Sequence, residues 1–276
     1  MEIIIDKTKL EKVIPAFANP DSQIFDLIYS YIESEADKVS AYIGQCSKAS
    51  LTAAEHLVCF RAARRALPQL DIVMTPNGIG VVRNNEIAPA SKERVDAFKE
   101  NLRQQASLWQ DDLTISMSKD LAWCQSPQAE EVISSLIWCP FVARHYGMTT
   151  TDGKEIYQEE FTALQPAIYM AEARIANIIS HDLLDALVKF EREHMAKDDK
   201  SEQYKLYGKA MVRTKRLLSA IVMNKDEAVT RELANSLLEF VQAHEDSLPE
   251  YKNSSLRKSK DILYENKKES PCFFFG

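Results

Sequence analysis

Residues 161–180 read FTALQPAIYMAEARIANIIS, and the spacing of the apolar side chains in this stretch predicts an α-helix. Ile168, Ile175 and Ile179 are seven and four residues apart. This spacing places all three on one face, as in an amphipathic helix that packs on a core. Similar spacing recurs along most of the chain, so we predict a mainly α-helical fold.

A second stretch near the start of the chain has the same pattern. Residues 31–44, YIESEADKVSAYIG, can be aligned with residues 167–180, so that Ile32 meets Ile168. Amphipathic helices align readily, so the match is weak support for duplication and better support for two similar helical-bundle regions. The low glycine content, 7 residues in 276, also favours helix over an all-strand sandwich.

Turn signals and changes in periodicity divide the chain. Asp152-Gly153 predicts a turn, helical spacing resumes near Phe161, and it stops after Leu248-Pro249. The fold of residues 126–160 stays open, because their pattern mixes helix and strand signals. We therefore predict an N-terminal helical domain over 1–125, a connecting segment over 126–160, a C-terminal helical domain over 161–248 and an extended basic tail over 249–276.

Residues 70–83, LDIVMTPNGIGVVR, interrupt the helical pattern. Asn77-Gly78 between apolar runs predicts a short β-hairpin, because both residues tolerate the positive φ of a type I′ turn. Both runs are almost wholly apolar, so both faces of the ribbon need cover. The ribbon either folds onto its own helices or reaches a neighbouring subunit, and both alternatives stay open. For the second alternative, the predicted subunit or portal contacts are Ile72, Met74, Asn77, Gly78, Ile79, Val81 and Arg83.

The C-terminal region differs from the rest in charge and ends in aromatic residues. Residues 251–276 carry a net charge of +3, and the remainder of the chain carries −10. A disordered end is usual for a terminus. However, each buried phenylalanine is worth roughly 1.5–3 kcal/mol, which favours an arm that docks on this chain or another. The residues predicted to dock are Arg257, Lys258, Lys260, Phe273, Phe274 and Phe275.

Motifs that carry chemistry are weak in this sequence. Glu191 and His194 form one E-x-x-H pair, whereas a di-iron bundle needs two, so a solvated acidic helix end is the preferred interpretation. Gly78-Ile79-Gly80 lacks the third glycine of a dinucleotide loop. The five cysteines are odd in number and scattered, which favours buried thiols in a reducing compartment. We expect no catalytic residue, no metal and no cofactor.

The hairpin region also carries a resemblance to a known family. Residues 61–95, from RAARRALPQ through the hairpin to the helix start APASKER, resemble the head–tail connector (adaptor, or head-completion) proteins of tailed phages and prophages. The similarity is to an enlarged two-region form, often catalogued as a domain of unknown function. Residues 161–180 and the ending YENKKESPCFFFG are also similar to that family.

The resemblance implies a structural virion protein rather than an enzyme. Connector subunits form a ring, here expected to be about twelve-fold, between the portal protein and a tail or stopper protein. The ring lines a channel through which double-stranded DNA passes without sequence recognition. We therefore expect assembly in the cytoplasm of the host bacterium, a final location in the virion neck and no membrane contact.

The charge of the chain agrees with this expectation. A net charge of −7 disfavours general binding to DNA phosphates, and an acidic channel wall lets DNA slide.

Two other classes of protein stay open. One is another neck or tail component, such as a tail terminator or stopper, which usually contains more strand. The other is a phage-encoded helical enzyme with an unrecognised site.

Overall fold

The mainly helical fold predicted from the sequence is confirmed by a computed structural model of the protein. The structure describes residues 2–18, 24–70, 73–75, 78–80 and 92–258. Contacts within the chain divide it into two compact units, Met1–Gln128 and Ala129–Gly276. Each unit buries the apolar faces of its own helices.

The described residues of the first unit form five α-helices and the start of a sixth. Asp6 caps the first helix by accepting a hydrogen bond from the backbone N–H of Lys9, and Asp120 caps the fifth through that of Ala122. The helices are α1 (Lys7–Val13), α2 (Ile24–Ile43), α3 (Leu51–Leu70), α4 (Lys92–Met117), α5 (Leu121–Cys124) and α6 (Pro127–Val132), which extends across the division between the units.

Helices α3 and α4 form an antiparallel pair. At the beginning of α3, the backbone N–H of Ser50 donates to Ser116 Oγ, near the end of α4, at 2.9 Å. One to two turns further along α3, the His56 ring lies 4.2 Å from the Trp109 ring. Since contacts near the start of α3 involve the second half of α4, α3 ends and α4 begins at the same end of the pair.

Two short strands lie in the joining stretch. Val73–Thr75 pairs antiparallel with Gly78–Gly80, with Met74 opposite Ile79. Each strand has three residues, fewer than the apolar runs of the predicted ribbon. The hairpin as an inserted contact element therefore remains a prediction.

The second unit is built around α8. Ile168, Ile175 and Ile179 are fully buried, which confirms the helix face predicted from residues 161–180. Ser180 ends α8 and caps α9 with a φ of 88°, so the two helices follow each other with no intervening loop. The elements are α7 (Pro140–His145), α8 (Gln158–Ile179), α9 (His181–Glu193), α10 (Glu202–Val222), α11 (Glu227–Ala243) and α12 (Pro249–Lys252).

Two segments differ from what the sequence predicted. The predicted connecting segment, 126–160, contributes Ile133 and Leu136 to the core of the second unit. The extended conformation predicted from residue 249 is wrong for residues 249–258, which contain α12 and a further helical turn. The physical reason is that Tyr251 is fully buried and holds this end of the chain on the unit. The rest of the predicted tail lies outside the described residues.

Candidate functional site

The predicted hairpin contacts are only partly covered by the structure. Met74, Gly78 and Ile79 lie in the two paired strands. The other predicted contacts are outside the described residues; they are Ile72, Asn77, Val81 and Arg83. The pairing places Met74 directly opposite Ile79.

The charged residues at the start of the predicted tail are held on the second unit. Arg257 Nε donates to Glu245 Oε2 at 2.8 Å, and Lys252 Nζ lies 2.6 Å from Asp246 Oδ1. Lys258 is exposed at the end of the described chain. These partners lie on the same unit, a short distance back along the chain.

This arrangement corrects the picture of a basic arm. Residues 259–276 contain three lysines and three acidic residues, so their net charge is zero. The excess of +3 therefore belongs to Lys252, Arg257 and Lys258, and the first two pair with carboxylates of their own unit. The other predicted docking residues, Lys260 and Phe273 to Phe275, lie outside the described residues.

A buried ion pair links α9 and α10. Lys215 Nζ lies 2.7 Å from Glu191 Oε2, and both side chains are at most 5% exposed. Trp138 Nε1 donates to the other oxygen of this carboxylate at 2.8 Å. Lys215 Nζ also lies 5.5 Å from the centre of the Tyr146 ring. We call Glu191, Lys215, Trp138 and Tyr146 the buried charge cluster.

The cluster shows that the interpretation of Glu191 as part of a solvated helix end is wrong. Glu191 faces the interior, where Trp138 donates a hydrogen bond to Oε1 and the charge of Lys215 lies beside Oε2. A buried carboxylate requires such partners. His194 Nδ1 contacts the backbone oxygen of Glu191 at 2.7 Å, which is a helix-end contact. Burial raises the pKa of Tyr146, and the charge of Glu191 adds to that rise. The cluster therefore joins three segments of the unit.

A second buried carboxylate lies on α8. Glu172 Oε1 accepts a hydrogen bond from the backbone N–H of Leu136 at 2.8 Å. Burial raises the pKa of Glu172 to about 7, and the charge of Asp185 on α9 acts in the same direction. Hydrogen bonds from the Leu136 backbone and the Ser135 side chain partly offset the effect of burial. Glu172 thus changes protonation near neutral pH while it contacts the segment before α7.

An open cleft of about 280 Å³ lies beside α9, α10 and α12, and three of its lining side chains are aromatic. The Phe190 ring is 4.7 Å from the Tyr204 ring and 6.0 Å from the Tyr207 ring. Tyr207 donates to Glu250 Oε2 at 2.5 Å, and Glu193 also lines the cleft. Sequence reasoning missed this aromatic cleft, although the spacing of Tyr204 and Tyr207 on one helix face was an available signal.

The outward face of α8 has no charged residue over most of its length. Exposed charged residues occur only near its ends, at Glu159 and Arg174. Met170 is 62% exposed and Tyr169 is 46% exposed. We call the seven exposed residues between those charges the α8 face; they are Thr162, Ala163, Pro166, Ala167, Tyr169, Met170 and Ala173.

The described residues also bear on metals, thiols and membranes. In the described part of the chain, no group of three or more His, Cys, Asp or Glu side chains is placed to hold a metal ion. Cys59, Cys124 and Cys139 are buried and belong to no disulfide of the described residues, and burial raises the pKa of Cys59 to about 12. Among the helices that the structure describes, none has both the length and the apolar character needed to cross a membrane.

Comparison with known proteins shows a similarity that covers part of the chain. A model of a family of unknown function (DUF6712) matches residues 26–132, which is less than half of the chain. The match begins in α2, includes the stretch with the two strands and ends with α6. No curated protein and no solved structure matches the chain. The first unit, from α2 onward, is therefore similar to a family whose function is not known.

Proposed function

We propose that this protein is a structural virion protein, a head–tail connector whose copies form a ring between portal and tail and line the DNA channel. The observation that carries the proposal is the resemblance of residues 70–95 to connector proteins. The fold is consistent with it, because α3 ends and α4 begins at the same end of their antiparallel pair. There a hairpin would be able to reach a neighbouring subunit.

The proposed ring has about twelve subunits, to match the portal, and its neighbours meet head to tail. The hairpin over residues 70–83 is the proposed contact between subunits or with the portal. Other proposed partners are a tail or stopper protein and passing double-stranded DNA. The net charge of −7 supports a channel wall that does not hold phosphates. The role requires no catalytic residue, metal, cofactor or membrane.

The proposed arm is residues 259–276, with Phe273, Phe274 and Phe275 as its anchor. Its base is residues 249–258, which the ion pairs of Lys252 and Arg257 support on the second unit. Because the arm itself carries no net charge, we expect its docking to depend on apolar contact more than on long-range attraction.

Electron microscopy of the purified protein mixed with its portal protein tests this function. We expect a closed ring of about twelve subunits on the portal, and antibody labelling at the neck of purified virions. Labelling elsewhere in the tail would instead favour a tail terminator or stopper. Normal tailed particles from a virus that lacks the protein would reject a connector role.

A variant with a shortened turn tests the hairpin separately. Removing Pro76 to Gly78 should leave the circular dichroism melt of the monomer unchanged and prevent ring formation on the portal. A matched control is removal of Asp152 and Gly153 from the exposed turn before α8. A ring that forms normally with the shortened turn would show that the hairpin has no assembly role.

A further inference from the structure

The α8 face is unusual when it is compared with another long helix of the same unit. The exposed residues of α10 are Glu202, Gln203, Lys205, Lys209 and Arg216, and four of these five are charged. The α8 face has seven exposed residues and no charge, although 27% of the chain is charged. Its centre, Tyr169 and Met170, exposes large apolar side chains to solvent. A face of this kind is typical of a surface that another segment covers.

The chain contains a segment whose chemistry fits this face. Residues 259–276 follow Lys258 and have no net charge. Their apolar residues form two groups, Ile262 to Tyr264 and Phe273 to Phe275. The six charged side chains of the segment lie outside these two groups, so they can stay in water while the aromatic side chains gain from leaving it on an uncharged helix face. Eighteen residues can span up to about 60 Å when extended, which is enough to reach another subunit.

We propose that the α8 face of one copy is the docking surface for residues 259–276 of a neighbouring copy. The choice of a neighbouring copy rests on the proposed function, because a ring of identical subunits requires two different surfaces of the chain to meet. The aromatic residues at the end of the segment contact Met170 and the small side chains around it. This contact links each subunit to the next.

A native cysteine makes the proposal directly testable. Cys272 immediately precedes the three phenylalanines. Ala167→Cys or Ala173→Cys places a thiol on the α8 face. Arg216→Cys places a control thiol on the exposed side of α10. The full chain, with Cys46→Ser to remove the half-buried thiol, is treated with oxidised glutathione and run on a non-reducing gel. The three buried cysteines are too inaccessible to compete.

We expect a ladder of disulfide-linked dimers and higher species with either α8 variant, and none with Arg216→Cys. Adding Met170→Glu should abolish the ladder, since it places a charge in the contact, whereas Val229→Glu on α11 should leave it intact. Met170 and Val229 are both exposed, so neither change disturbs the core. A cross-link within one chain, or no cross-link at all, would overturn the proposal.

The outcome of this experiment is independent of the test of the proposed function. The ladder is read on the purified protein, and the location of the protein is read on virions. A ladder with no labelling of the neck would reject the connector role and retain the docking surface. Labelling of the neck with no ladder would retain the connector role and reject the docking surface.

Discussion

The ammonium group of Lys215 on α10 lies 2.7 Å from the carboxylate of Glu191 on α9, inside the core of the second unit. Both charged groups are buried, and the indole of Trp138 donates a hydrogen bond to the other oxygen of the carboxylate. A buried pair of this kind contributes little net stability compared with apolar residues, but removing one partner leaves an uncompensated charge. The pair therefore makes the packing of α9, α10 and the segment before α7 mutually dependent.

Lys215→Met should lower the free energy of unfolding by about 3–5 kcal/mol, because Glu191 would remain buried without its counter-charge. Urea denaturation followed by circular dichroism measures the loss. Lys209→Met on the exposed side of the same helix is the control and should change stability by less than about 0.5 kcal/mol. Equal effects of the two substitutions would show that the ion pair is not buried in solution.

Glu172 should make the protein less stable as the pH rises through neutrality. The pKa of Glu172 is about 7 in the folded protein, whereas the ordinary value for glutamate is 4.5, so the folded state binds the proton more tightly than the unfolded state. The resulting stabilisation is complete below pH 4.5 and is lost as the pH approaches 7, an effect of about 3 kcal/mol.

Glu172→Gln keeps an acceptor for the Leu136 N–H and cannot ionise. Urea denaturation between pH 5 and 8 should show a smaller loss of stability with rising pH in this variant than in the unaltered protein. At pH 8 the variant should be the more stable of the two. If the stability of the variant and that of the unaltered protein change with pH in parallel, another group causes the pH dependence. Asp185→Asn is the control, because it removes the neighbouring charge but leaves the Glu172 carboxyl in place.

Tyr251→Phe should leave stability unchanged or raise it by about 1 kcal/mol. The Tyr251 side chain is fully buried, and among the described residues its hydroxyl has no hydrogen-bond partner. Removing an unpaired buried hydroxyl removes its desolvation cost. Tyr251→Ala should instead cost roughly 3–5 kcal/mol because it leaves a large cavity. Thermal unfolding of both variants measures the difference, and a marked loss with Tyr251→Phe would reveal a partner for the hydroxyl.

Deleting residues 271–276 should leave the thermal melt of the isolated monomer almost unchanged and abolish stable attachment of the protein in the particle. The reason is that the aromatic end is proposed to bind a partner rather than its own chain. Differential scanning calorimetry and quantification of the protein in purified virions measure the two effects. A large loss of monomer stability would show that the phenylalanines pack on their own chain.

The sequence by itself determined the main helices and the faces they bury. Ile168, Ile175 and Ile179 could be assigned to the core because helix periodicity is a local property, set by 3.6 residues per turn. The burial of Cys59, Cys124 and Cys139 also agrees with the expectation from the scattered positions of the cysteines.

Only the tertiary structure decided the environment of individual polar groups. Glu191 lies on a helix rich in charge, and its burial depends on Trp138, 53 residues earlier, and on Lys215 of the next helix. Residues 249–258 have no helical periodicity in the sequence, yet Tyr251 fills a space that other helices enclose. Burial and charge pairing depend on residues distant in the chain, so a local pattern does not contain them.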